Sequence, residues 1–203
     1  MTQPVQAITH GLLGQYLGRC RTDQGEVPPT SQELVDLFAF LKMRKIAAAL
    51  VGSVAVLHYT KDPTYRPTHD VDVFVQAETS RMARVPPPPG WHRNTAIIGV
   101  VCWTSPGGGQ VDFLTSNYEF PGGEKLLSMV HVDMSSPKGI PIATATDLFK
   151  LKLNSYRDRD FADLLSLATA FKGTPEPVQL GKLNEVQSHN LLLVKAWWAA
   201  QPK

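Results

Sequence analysis

Asp70 and Asp72 stand two residues apart in the run Asp70-Val71-Asp72-Val73-Phe74-Val75. In an extended strand residues i and i+2 share a face, so these two carboxylates project side by side. Val71, Val73 and Val75 then turn to the opposite face, toward a core. Like charges that close repel, and one carboxyl is pushed toward its neutral form. A divalent cation removes the conflict, and Mg²⁺ favours carboxylate oxygens together with substrate phosphates. A third acid, Asp112, stands alone in the apolar run Val111-Asp112-Phe113-Leu114, where an unpaired charge is costly. If its strand lies beside the first, three carboxylates converge on a two-metal site. One ion there activates an attacking oxygen and the other steadies a triphosphate. Asp133 and Glu119 are alternatives for the third position, but neither sits in so clean an apolar strand.

The elements that must position these acids are legible in part. Thr30-Ser31-Gln32-Glu33 is a capping-box pattern, and Leu34, Leu37, Phe38 and Leu41 follow at helical spacing, predicting a helix over 31–44. The apolar run Ile46 to Val51 reads as a buried strand that turns sharply at Gly52-Ser53 into a helix. At such a junction the glycine allows close backbone approach, and the helix start presents N–H groups suited to phosphate. Strands are predicted over 71–75 and 97–103, with Gly107-Gly108-Gly109 turning the latter into a hairpin strand over 110–115. Pro86 to Pro89 reads as a stiff connector. Helices are predicted over 146–156, 160–171 and 186–200. In the first of these, Leu148, Phe149, Lys152, Leu153 and Tyr156 share one stripe. A lysine inside an apolar stripe must snorkel out or reach a buried anion. The anions on offer to Lys152 are a nucleotide phosphate and the acids Asp160 and Asp163, whereas Lys150 points to nearly the opposite side.

The order Gly52-Ser53, Asp70-x-Asp72 and a distal Asp112 resembles the DNA polymerase β-type nucleotidyltransferase superfamily. The tail, with Asp147-Leu148, Lys150, Lys152 and Arg157-Asp158-Arg159-Asp160-Phe161-Ala162-Asp163, resembles its abortive-infection-toxin (AbiEii-like) minimal branch. The resemblance covers roughly 45–171. It implies that Gly52 and Ser53 hold a nucleoside triphosphate, that Asp70 and Asp72 bind metal, and that Asp112 is a ligand or the base for the acceptor. It also implies a nucleotide-serving lysine at Lys152. Arg66 and Thr68 match an Arg-x-Thr-x-Asp pattern of the branch, so Arg66 either contacts phosphate, orients a carboxylate or is a plain surface residue. The interval from Ser53 to Asp70 is longer than usual, with Lys61 to Pro67 inserted, which bears on how the loop closes over nucleotide.

Composition bounds the rest. The chain has 203 residues, 43 % hydrophobic and 19 % charged, which suits one folded domain rather than a disordered chain. A net charge of +2 does not announce a nucleic-acid or membrane surface as partner. Cys20 and Cys102 lack disulfide-framework or metal spacing and read as reduced thiols. The histidines are scattered without ligand spacing, and Arg81 and Arg84 read as a solvated face. Trp197 and Trp198 read as part of a helix docking on the core. The N-terminus does not read as a signal peptide, and the longest apolar run, Ile46 to Leu57, is too short to span a bilayer. The expectation is a soluble, cytoplasmic α+β protein: an N-terminal extension over 1–30, a nucleotidyltransferase-like mixed-sheet core over 31–136, and a C-terminal helical part over 137–203. By resemblance its expected activity moves a nucleoside monophosphate from a triphosphate such as ATP to an acceptor hydroxyl, with Mg²⁺ or Mn²⁺ and release of pyrophosphate. The acceptor is a tRNA or other RNA end, a protein or a small molecule, as in antibiotic-modifying enzymes. The rival expectation is a silent fold of the same kind, serving as a binding or antitoxin-like protein.

Overall fold

The computed structural model describes residues 6–18, 27–61, 68, 70–119, 130, 139–155, 157–171 and 180–200. Arg66, His69, Cys20, Asp133, Tyr156 and all of the expected 61–67 insertion except Lys61 lie outside the described residues. In chain order the described elements are β1 (Gln6–Ile8), α1 (His10–Leu17), α2 (Ser31–Met43), β2 (Ala48–Leu50), α3 (Gly52–Thr60), β3 (Asp70–Val75) and α4 (Thr79–Met82). They continue with β4 (His92–Ile97), β5 (Val100–Thr104), β6 (Gln110–Thr115), β7 (Ile140–Ile142), α5 (Ala145–Ser155), α6 (Asp158–Ala170) and α7 (Glu185–Ala199). The strands form a mixed seven-stranded sheet in the order β1-β7-β2-β3-β6-β5-β4. The fold is α+β, with a sheet core, flanking helices and a helical C-terminal part.

The helix over α2 forms because its start is capped from both sides. Thr30 N–H donates to Glu33 Oε2 at 2.7 Å, and Glu33 N–H donates to Thr30 Oγ1 at 3.2 Å. Glu33 also accepts from Gly107 N–H at 2.8 Å, which ties the helix start to the β5–β6 hairpin. The apolar stripe of α2 buries Leu34, Leu37 and Leu41 completely. Val71, Val73, Val75, Val111, Phe113, Val101 and Trp103, alternate residues of β3, β6 and β5, are likewise fully buried. At about 1.5–3 kcal/mol per buried side chain, this face holds the central strands in register. The opposite face of the same strands is left to carry Asp70, Asp72 and Asp112.

Two parts of the architecture differ from the expectation. The strand predicted over 97–103 is broken: β4 ends at Ile97, and β5 begins at Val100 and pairs back on it. Gly99 makes that turn at φ +88°, where an added Cβ would lie 2.7 Å from Tyr118 Cδ2. Unbroken apolar character hides the turn, because Ile98 at its tip is 88 % exposed. All of β4 is exposed, so it has no alternation to read. The second difference lies within residues 1–30. There β1 pairs antiparallel with β7, and α1 buries Leu13, Tyr16 and Leu17. Both elements are short, and Gly11, Gly14 and Gly18 blur the periodicity of α1.

Candidate active site and metal centre

The pairing of β3 with β6 builds the site. The two strands run parallel, with Asp70 opposite Gln110 and Asp72 opposite Asp112. The adjacency that the sequence required of the Asp112 strand is therefore present. Asp70, Asp72 and Asp112 are each half-buried, and one ligand atom from each lies within 4.8 Å of the others. Glu119, the described alternative for the third position, is exposed and outside this cluster.

Neutral donors hold two of the three carboxylates. Thr68 Oγ1–H donates to Asp70 Oδ1 at 2.5 Å. Gln110 Nε2–H donates to Asp112 Oδ1 at 2.8 Å. Cys102 stands opposite Asp112 across β5 and β6, so its thiol neighbours that carboxylate. Among the described residues no side chain hydrogen-bonds to Asp72. Burial and the adjacent charge of Asp70 push its carboxyl up to about 6; Asp112 adds to the rise, and the charges of Lys152 and Arg157 oppose it. Burial, followed by Asp112 and the other neighbouring acids, pushes the Cys102 thiol up to about 12. It is a protonated thiol rather than a nucleophile.

Gly52 is the other half of the site. Its φ is +65°, and a Cβ built there would lie 1.9 Å from Asp72 Oδ2 and 2.7 Å from Asp72 Cβ. Only glycine fits both the conformation and the approach. Val51 N–H donates to Asp72 O at 3.0 Å, so the chain entering α3 is fastened to the strand that carries the acids. The N-cap of α3 is Val51, whose side chain has no acceptor to cap the helix start. Ser53, the second residue of the helix, is buried. The N-terminus of a helix and its positive dipole end thus open beside three negative charges. That pairing suits a metal ion with an anionic ligand.

Lys152 is buried rather than snorkelling out, one of the two outcomes its place in an apolar stripe allowed. Its Nζ lies 2.8 Å from Asp160 Oδ1 and 2.6 Å from Asp163 Oδ2, both carboxylates being fully buried. Of the two anions open to it in the sequence, the structure shows the carboxylates. Arg157, at the N-cap of α6, donates from Nε to Asp160 Oδ2 at 2.7 Å and from Nη2 to Asp160 Oδ1 at 3.3 Å. Burial alone would raise the Asp160 carboxyl, but the bonds from Arg157 and Lys152 outweigh it and hold it well below the usual carboxylate range. Lys150 lies on the other side of α5 and is only half-buried.

Sequence reasoning missed Gln110 and left Cys102 without a role. Both are readable after the fact: Gln110 is two residues from Asp112 and so on its face, while Cys102 needs the β5–β6 register to be placed. Arg157 was noted only within a motif.

The donor set fits a hard divalent cation. Among the described residues, the three carboxylates meet without a soft or imidazole ligand, at a spacing that suits one or two such ions. Among the described residues, no helix is long and apolar enough to cross a membrane.

The sequence matches no protein-family model and no curated protein. Among solved structures, the chain is similar to the lincosamide antibiotic adenylyltransferase LnuA in its lincomycin-bound form, at 15 % identity and a TM-score of 0.47, covering 70 % of this chain and 99 % of that one. It is similar to the antibiotic-resistance factor ANT(2'')-Ia at 10 % identity and a TM-score of 0.46, covering 83 % and 92 %. It is also similar to an antigenic nucleotidyltransferase-like protein from Paracoccidioides brasiliensis, at 15 % identity and a TM-score of 0.44, covering 84 % and 88 %. These are loose likenesses of overall fold, and the functional assignment rests on the carboxylates and the helix start.

Proposed function

We propose that this protein is a metal-dependent nucleotidyltransferase. It moves a nucleoside monophosphate from a nucleoside triphosphate to an acceptor hydroxyl and releases pyrophosphate. The observation that carries this reading is the cluster Asp70, Asp72 and Asp112, whose central member Asp72 packs against Gly52 at the start of α3. A structural role does not account for three like charges that no described lysine or arginine contacts directly. Metal and phosphate binding does.

Asp70, Asp72 and Asp112 would hold Mg²⁺ or Mn²⁺, which supplies charge neutralisation at the triphosphate and acidifies the attacking hydroxyl. The backbone N–H groups at Gly52 and Ser53 face the phosphates. Asp72 stands between α3 and Asp112, so the triphosphate enters on the α3 side and the acceptor on the β6 side. The acceptor oxygen forms a bond to the α-phosphorus while the bond to the bridging oxygen breaks, and pyrophosphate leaves. Asp112 is the carboxylate nearest the incoming hydroxyl and receives its proton. Thr68 and Gln110 keep the outer carboxylates oriented while charge builds at the centre. Lys152 serves the nucleotide through its field at Asp72, its ammonium being held by Asp160 and Asp163. Arg66, four residues before Asp70 in the sequence, belongs to the same proposal as a phosphate contact.

The acceptor classes are an RNA end, a protein side chain and a small hydroxylated molecule. The test is incubation with each of four α-labelled triphosphates, Mg²⁺ or Mn²⁺, total cellular RNA and protein, and a panel of hydroxylated antibiotics. Label moving to one acceptor with equimolar pyrophosphate release supports the reading. Triphosphate binding with no pyrophosphate released from any mixture contradicts it and favours the silent, binding form.

A further inference from the structure

We infer that Arg157 is a triphosphate-binding residue of this site, its guanidinium held by Asp160 along one edge and offered to phosphate along the other. The inference rests on the proposed nucleotidyl transfer and adds a residue which that reading does not contain. An incoming triphosphate brings several negative charges to a place already occupied by three carboxylates. The start of α3 supplies only partial charges, so a full cation from the protein is needed in addition to the metal.

Among the described residues, Lys152 and Arg157 are the cations whose charges reach Asp72. Lys152 is committed: its amine is buried, with a carboxylate at 2.8 Å and another at 2.6 Å. Arg157 is not. Its side chain is 55 % exposed although its partner Asp160 is fully buried. Nε and Nη2 both donate to Asp160, and the Arg157 backbone N–H donates to Asp160 Oδ2 at 3.2 Å. Nη1 has no hydrogen-bond partner among the described residues. The guanidinium is thus fixed in orientation before any ligand arrives, with one edge unspent. A planar fork with one edge anchored is a pre-organised phosphate receptor, and little rotamer entropy is left to lose.

The surrounding charges permit this use. Lys152 and Arg157 balance Asp160 and Asp163, so Arg157 does not have to leave Asp160 to meet an anion. Its helix, α6, packs against α3, the helix that begins at Gly52 beside Asp72. The plain alternative is a helix-capping ion pair, which needs Nε and Nη2 but assigns nothing to the exposed edge.

The experiment titrates wild type, Arg157→Ala, Arg157→Lys and Arg159→Ala with inorganic tripolyphosphate plus Mg²⁺, and with each ribonucleoside triphosphate. Thermal melts and Mn²⁺ binding without any phosphate ligand are measured in parallel. The expected result is about tenfold or greater loss of tripolyphosphate affinity in Arg157→Ala, equivalent to roughly 1.4 kcal/mol. Arg157→Lys should recover part of that loss, while Mn²⁺ binding stays as in wild type. Arg159→Ala, an exposed neighbour, should match wild type. Wild-type affinity in a folded Arg157→Ala protein, or an equal loss in Arg159→Ala, overturns the inference alone. Failure of wild type to bind tripolyphosphate or any triphosphate overturns the nucleotidyltransferase reading and takes this inference with it.

Discussion

Two groups of charges sit near one another in this molecule and are built on opposite principles. Between α5 and α6, Lys152 and Arg157 meet Asp160 and Asp163 at hydrogen-bond distance, and the set sums to zero. On β3 and β6, Asp70, Asp72 and Asp112 crowd within 4.8 Å with neutral donors around two of them and no direct cation among the described residues. The first group satisfies itself. The second has its charge requirement unmet within the described chain, which folding alone would not favour, since a hydrophobic or paired residue at Asp72 would cost less. An unmet charge held in place by packing elsewhere is the mark of a ligand site.

The comparison predicts that the same kind of mutation has opposite consequences in the two groups. Asp72→Asn should lower the rate of nucleotidyl transfer by about three orders of magnitude, roughly 4 kcal/mol of transition-state stabilisation. It should at the same time raise the metal-free melting temperature by about 2–8 °C, because like-charge repulsion is relieved. Steady-state kinetics and a thermal melt in chelator check both halves. Lys152→Met should do the reverse, taking the ammonium from buried Asp163 and leaving Asp160 with Arg157 alone, at a cost of about 3–5 kcal/mol. A melting temperature about 10 °C lower is the expected reading, with Lys150→Ala nearly silent as its control. Lost triphosphate affinity at an unchanged melting temperature would move Lys152 from the balanced group into the site.

Gly52→Ala tests the seam between helix start and carboxylates. Strain at φ +65° and the collision with Asp72 should cost about 1–3 kcal/mol, and Mn²⁺ affinity should fall because Asp72 is displaced. A variant that melts lower but titrates Mn²⁺ as wild type does would break the link between Gly52 and the metal ligands.

The smallest effect is in pH dependence. Asp72 is raised from 3.8 to about 6 in the folded protein, so the native state binds more protons than the unfolded chain over that interval. Its contribution to stability is full below about 4 and is lost as pH rises through about 6. The stability advantage of Asp72→Asn over metal-free wild type should therefore grow between pH 4 and 6 and level off above. Asp160, held below the usual range, has the opposite sign: its contribution is present above the ordinary carboxylate value and lost as pH falls. Melts of wild type and Asp72→Asn between about pH 4 and 6, and of wild type and Lys152→Met from about pH 4 downward, separate the two slopes.

Much of this was legible in the sequence because the relevant signals are local. The i, i+2 acids, the apolar alternation behind them, the Gly52-Ser53 junction and the Thr30–Glu33 cap each act over a few residues. That Asp112 would stand opposite Asp72 depended on a strand pairing across 40 positions, which spacing motivates but does not determine. What was hidden lacked periodicity or needed a register. The exposed strand β4 has no buried face to reveal it, and the Ile98-Gly99 turn sits inside an apolar stretch. The short β1 acquires meaning only by pairing with β7, far along the chain. Cys102 came to stand beside Asp112 only once β5 and β6 were aligned, whereas Gln110 shares the face of Asp112 on the same strand and was simply overlooked. For Lys152 the sequence offered a phosphate or the acids of the next helix, and the structure shows the acids, Asp160 and Asp163.

The central claim is that the unbalanced acids exist to hold a divalent ion. Mn²⁺ titration followed by the electron paramagnetic resonance of the free ion tests it most directly, on wild type and Asp72→Asn, each with and without tripolyphosphate. The account predicts saturable binding to wild type that tightens with tripolyphosphate, and loss of both in a stably folded Asp72→Asn protein. Superimposable titrations of the two proteins would contradict it.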